Sequence, residues 1–167
     1  GLANLHNAKK AGTGIVNIVG DHATYHIEYD APLTSDVEGV ARPMSDWVKT
    51  SPTAEGVAAD GAEAVRQAST HPGQVATLIL PANTAWGEGS APVQAGTPNT
   101  PAGPSAADVE AAAKALSDAG ENGALYLKGN VLREPGLTLA GKIAAKTGAR
   151  LLAPTSNARI DRGAGRV

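Results

Sequence analysis

The chain of 167 residues has no cysteine and no phenylalanine, and aromatic residues make up only 3% of it. Without cysteine there is neither a disulfide framework nor a thiolate site, which fits a reducing compartment and sets a cytoplasmic location as the expectation. Without phenylalanine, a core has to be assembled from Ala, Val, Leu and Ile, small side chains that let helices come close to a sheet. No apolar run is long enough to span a bilayer, and no signal-peptide pattern opens the chain. An excess of one charge is also missing: 14 basic and 16 acidic residues give a net charge of −2. Lys142, Lys146, Arg150 and Arg159 in the last third are spread out. Neither nucleic acid nor a membrane is therefore expected as a partner.

What is present is an alternation of helical and strand-like patterns. Residues 1–11 place Leu2, Leu5 and Ala8 on one helical face, with Gly12 as a stop. The β-branched run at residues 14–19 reads as a buried parallel strand ending in Gly20-Asp21-His22. A polar, irregular stretch from His26 to Val40 follows, with a short helix after Leu33. Met44, Trp47 and Val48 then mark a strand or half-buried segment. Val57, Gly61, Ala64, Val65 and Ala68 share a helical face closed by Pro72-Gly73, and residues 75–80 form a second buried strand stopped by Pro81.

Residues 87–104 are dominated by Gly, Pro, Ala, Ser and Thr, the composition of a linker. Beyond them Ser105 and Asp108 have capping-box spacing at the head of a helix whose buried face is Val109, Ala112, Ala113 and Leu116. A strand at residues 124–127, a helix lined by Leu137, Ala140, Ile143 and Ala144, and a strand at residues 149–153 complete the pattern. Such an order implies parallel sheets with right-handed crossovers. The opening helix lacks a partner and the chain reaches Val167 in a loop, so the expectation is a middle portion of a larger polypeptide. Its open sheet edge and apolar face favour association with other parts or another copy.

Several of these pieces carry a family resemblance. The run Gly1-Leu2-Ala3-Asn4-Leu5-His6-Asn7-Ala8, the strand into Gly20-Asp21-His22, and Asp30-Ala31-Pro32-Leu33-Thr34-Ser35-Asp36 leading to Arg42-Pro43 follow one another in a telling order. They resemble the pyrimidine-binding domain of thiamine-diphosphate-dependent enzymes in the acetolactate synthase, pyruvate oxidase and benzoylformate decarboxylase group. The nearest resemblance is to acetolactate synthase large subunits. Residues 105–167 are similar to the start of that group's Rossmann-like central domain. The resemblance implies an α/β chain made of parts of two Rossmann-like parallel-sheet domains: residues 1–86, a Pro/Gly-rich linker at 87–104, and residues 105–167. It further implies a 2-oxo acid substrate, thiamine diphosphate with Mg²⁺ as cofactors, and a homodimer or homotetramer of the full-length enzyme.

The resemblance also implies which chemistry lies outside the chain. The family's cofactor-activating glutamate falls upstream of the position matched by Gly1. The Gly-Asp-Gly…Asn motif that holds Mg²⁺ has no counterpart here, since Gly20-Asp21-His22 lacks the second Gly and the Asn. No catalytic residue and no metal ligand is therefore expected within the chain, and taken alone it should be inactive. Because ligands of open α/β sheets gather at the carboxyl ends of strands, Asp21, His22 and the loop through His26 and Tyr29 are expected to border the site. Gly1, Asn4 and Gly20 are matched to the same border. His22 is either a proton donor or a polar residue capping the strand end. His6 is expected in packing, His71 in solvent, Trp47 in the core or an interface, and Asp36 and Arg42 as a pair across the loop.

Departures from the family bear on the reaction. Acetolactate synthases carry Phe-Gln after the Asp-Ala matched by Asp30-Ala31, whereas this chain has Pro32 and Leu33, and Leu33-Thr34 resembles benzoylformate decarboxylase. Lys128-Gly129-Asn130 has a single glycine where flavin-binding members have several, which argues against FAD. The reading is thus a transferase like acetolactate synthase, with a lyase acting on 2-oxo acids or a non-catalytic Rossmann-like binding module as alternatives.

Overall fold

The computed structural model describes residues 1–163, so the expected loop at Val167 lies outside the described residues. The chain forms two compact α/β units, Gly1–Thr100 and Pro101–Val167, each with a parallel sheet. Among the described residues no helix is long and apolar enough to cross a membrane.

The first unit is built on three parallel strands in the order β1 (Ile15–Asp21), β3 (Val75–Pro81), β2 (Trp47–Thr50). β3 is central, and the unbroken run Val75–Ile79 is fully buried, as a strand covered on both faces requires. On one face Ala76 and Leu78 pack against Ala64 and Ala68 of α3 (Val57–Ala68), with Trp47 and Leu80 alongside. Alanine at each helix contact lets α3 sit close to the sheet. Toward α1 (Leu2–Ala11) and α2 (Val37–Ala41), the sheet presents Asn17 and Val19 from β1. There Asn17 Nδ2 donates to Thr77 Oγ1 at 3.1 Å, and Ser45 Oγ lies 2.7 Å from the same oxygen. This chain keeps the buried hydroxyls satisfied.

Two readings of the first unit need correction. β1 is not buried: among the described residues it bonds only to β3, its burial alternates, and Ile18 is 56% exposed. α3 leaves Val65 46% exposed and turns Asp60 inward, where Lys49 Nζ pairs with its carboxylate. β3 ends at Pro81, as read, and leads directly into α4 (Ala82–Trp86), where Thr84 Oγ1 donates to Pro81 O at 2.7 Å. The turn before β3 requires glycine at residue 73: its φ is 122°, and a side chain there would collide with the Gly12 carbonyl that ends α1.

Residues 88–105 carry no helix or strand. Part of this stretch is tied to the first unit, through Ser90 Oγ donating to Glu55 O at 2.8 Å and His71 N donating to Asn99 O at 3.2 Å. In the second unit β4 (Ala124–Tyr126) pairs in parallel with β5 (Arg150–Leu152). Leu127, Leu132, Leu137 and Ala140 form its core, with Leu125, Leu151 and Ile160 packed against them. α6 (Glu134–Thr147) supplies Leu137 and Ala140, whereas Ile143 is exposed. α5 (Ala106–Ala119) has the expected capping box between Ser105 and Asp108 but buries no residue. Its predicted inner face is therefore corrected: Val109 is exposed and Leu116 only half-buried.

Candidate functional site

The carboxyl ends of parallel strands leave backbone groups unpaired and so gather ligands. At that end of β1, Gly20, Asp21 and His22 line a cavity of about 270 Å³ whose other walls are Leu33, Ser35 and Val37. The strand stops here because Asp21 Oδ1 accepts the His22 backbone N–H at 2.7 Å, a short-range bond that competes with further sheet pairing. Ala23 is buried, and Thr24 N donates to Asn83 Oδ1 of α4 at 2.9 Å, which holds the following loop near the sheet. A 3₁₀ turn at Ile27–Tyr29 ends at Asp30, whose φ of 46° reverses the chain. Asp36 then caps α2 by accepting Gly39 N at 2.8 Å, and this places Ser35 and Val37 at the cavity.

His22 is the one imidazole that lines the cavity among the described residues. His22 Nδ1 lies 3.8 Å from Asp21 Oδ1, with side chains 26% and 16% exposed respectively. The His22 and His26 rings stack with centroids 5.7 Å apart and planes inclined by 21°, and the His26 ring lies 6.0 Å from that of Tyr29. A backbone open to the cavity at Gly20 completes the wall, since a side chain there would meet nothing within 4 Å.

Gly20, Asp21 and His22 are thus brought together at the cavity, whereas His26 is exposed, does not line it and joins them only through its stack on the His22 ring. Gly1 lies in a neighbouring, largely apolar cavity of about 390 Å³ with Leu2, Leu5, Asn17, Val19 and Val40, which shares Ser35 and Val37 with the first. Asn4 is exposed on α1 and lines neither cavity. The expected Asp36–Arg42 pair does not form: Arg42 Nη2 bonds Glu38 Oε2, one helical turn away, and Asp36 is the helix cap. His6 is exposed beside Asn7 rather than packed, while His71 is exposed and Trp47 packs against the core, as read. Leu33, Ser35 and Val37 were missed as lining residues, although Asp36, as a cap before an apolar residue, marks where the loop turns back. Among the described residues no three His, Asp or Glu side chains converge to hold a metal ion.

Comparison with known proteins supplies the relationship. No protein-family model matches the chain. It is 47% identical over 165 residues, 99% of its length, to a Mycobacterium tuberculosis H37Rv protein that bears the name of an acetolactate synthase large subunit, IlvX. The chain spans 31% of that relative's length. Among solved structures, it is similar to the Rhodococcus jostii RHA1 thiamine diphosphate-dependent 4-hydroxybenzoylformate decarboxylase, with a TM-score of 0.78 at 18% identity, covering 95% of this chain and 31% of that one. A Mycobacterium smegmatis structure named as a thiamin diphosphate-dependent enzyme gives 0.72 at 23% identity, with the same coverages of 95% and 31%. At these identities the two structures speak for the fold.

Proposed function

We propose, from a homology with acetolactate synthase large subunit-like proteins that runs the length of the chain, that it is a portion of a thiamine-diphosphate-dependent enzyme. The observation that carries this reading is the 47% identity over 165 residues. The whole protein would decarboxylate a 2-oxo acid and join the product to a second one. In this assignment residues 1–86 are the later part of the pyrimidine-binding domain, 87–104 a linker, and 105–167 the start of the central domain.

The residues present suit a border to the ring end of such a cofactor rather than a grip on its charged end. Gly20 offers bare backbone to the cavity, with Leu33, Ser35 and Val37 opposite, a mixed lining that suits a flat heteroaromatic ring. Mg²⁺ and a diphosphate need several oxygen ligands, which the reading assigns to other parts of the whole protein. When bound, thiamine diphosphate supplies an electron sink for the bond that breaks as carbon dioxide leaves.

The chain's own contribution is to line the site and to move a proton. In this reading His22, the imidazole that lines the cavity, serves as a proton donor, with its Nδ1 3.8 Å from Asp21 Oδ1. Leu33 favours a second reading, a decarboxylase of the benzoylformate type: it is 83% exposed at the cavity wall and would cover an apolar substrate side chain.

Calorimetry of the whole protein with thiamine diphosphate and Mg²⁺ tests the cofactor assignment, and a saturable heat is expected. Absence of heat overturns the enzyme reading and leaves a Rossmann-like binding module. Supplying pyruvate or benzoylformate and assaying acetolactate against aldehyde then separates the two reactions.

A further inference from the structure

We infer that His26 is a positioning residue for His22, holding the plane of its imidazole at the cavity by ring stacking. This rests on the proposed role of His22 but not on the identity of the cofactor. A histidine ring at the end of a strand has two free torsions, and one contact leaves it able to swing. Asp21 supplies one constraint: its Oδ1 accepts the His22 backbone N–H at 2.7 Å and lies 3.8 Å from the ring nitrogen Nδ1. The short bond holds the His22 backbone, and the 3.8 Å approach is too long to fix the ring by a hydrogen bond. The His26 ring supplies the second constraint, stacked 5.7 Å away with planes only 21° apart.

The exposed Tyr29 ring lies beyond His26, at 6.0 Å and tilted by 53°. The 3₁₀ turn Ile27–Tyr29 links these rings, and its register follows from His26 N donating to Ala23 O at 2.8 Å. Ala23 is buried, so the platform under His26 is anchored in the fold. The other walls facing the cavity, Gly20, Leu33, Ser35 and Val37, bring no charge that would compete for the His22 ring. Orientation of a proton-transfer group matters strongly, since a displacement near 1 Å can cost about a hundredfold in rate.

The test compares His26→Ala, which removes the ring, with His26→Phe, which keeps a flat ring but no nitrogen. With only four histidines in the chain, the His22 ring protons can be assigned by NMR. In His26→Ala the ring-current shift of the His22 protons should disappear while the His71 resonances stay in place, and in His26→Phe it should return. For the whole protein turning over a 2-oxo acid, His26→Ala should lower kcat by up to about a hundredfold with KM little changed, and His26→Phe should recover most of it. Unchanged His22 resonances in His26→Ala would overturn the inference. So would a His26→Phe variant that behaves like His26→Ala. The NMR result stands even where no 2-oxo acid is consumed, so a failed reaction assignment and a failed positioning role give different outcomes.

Discussion

Lys49 Nζ of β2 lies 2.7 Å from Asp60 Oδ1 of α3, joining a lysine that is 48% exposed to a carboxylate that is only 10% exposed. The pair explains how α3 can turn an acid toward the sheet. Removing the lysine strands that acid, and a buried polar group left unpaired costs about 1–3 kcal/mol. Lys49→Met should therefore lower the urea midpoint with an unchanged slope, whereas Lys49→Arg should stay near the parent value. Equal midpoints for Met and parent would show that water serves Asp60 as well as lysine does.

Glu63 gives the first unit an acid-sensitive contact. Arg66 donates to it from Nε at 2.7 Å and Nη2 at 2.6 Å, and Gln67 donates at 2.8 Å. The Arg66 hydrogen bonds, then that of Gln67, lower its carboxyl from an ordinary 4.5 to about 2. A folded value below the unfolded one means that the contribution is present above about 4.5 and lost as pH falls toward about 2. The side chain is 38% exposed, so solvent screening keeps the effect below about 1 kcal/mol. Glu63→Gln should be slightly less stable than the parent at neutral pH and converge with it near pH 2. Urea midpoints measured across that window check the sign.

Much of the first unit is legible because β3 is buried on both faces. Val75-Ala76-Thr77-Leu78-Ile79 reads as a buried strand, and in the structure it is the central one. The run Ile15-Val16-Asn17-Ile18-Val19 reads the same way yet lies at an edge, because apolar composition records what a strand is suited to meet. Asp60 was illegible because its partner lies on another element, and periodicity within one helix carries no such information. At the candidate site, Gly20-Asp21-His22 could be placed by the rule that ligands gather at strand ends. Leu33, Ser35 and Val37 could not, since the loop path depends on the left-handed backbone at Asp30 and the Asp36 cap.

Strand position should dominate the stability of apolar truncations. Leu78→Ala empties a fully buried site against Ala64 and Ala68, where small neighbours have little side chain with which to collapse into the gap, and should cost about 2–5 kcal/mol. Ile18→Ala, on the exposed face of β1, should cost roughly 0.5 kcal/mol or less in the same preparation. Paired thermal unfolding curves test the contrast. A large loss at Ile18 would show that something covers that face in solution.

α5 presents the opposite case, a helix that buries no residue and so depends heavily on its own end. Ser105 Oγ accepts Asp108 N at 3.1 Å, and the Asp108 carboxylate reaches back to the Ser105 N–H at 3.3 Å and to its hydroxyl at 2.7 Å. The hydroxyl bond, then the backbone one, hold the Asp108 carboxyl below its usual range. Ser105→Ala removes the acceptor, and a typical cap corresponds to roughly fivefold in the local equilibrium. Amide hydrogen exchange in the first turns of α5 should accelerate by about that factor, with the β4 and β5 amides unaffected. Ser105→Asn, which keeps a side-chain acceptor at the cap, should restore protection. If the asparagine variant exchanges as fast as the alanine one, the helix is held by contacts along its length rather than by its N-terminus.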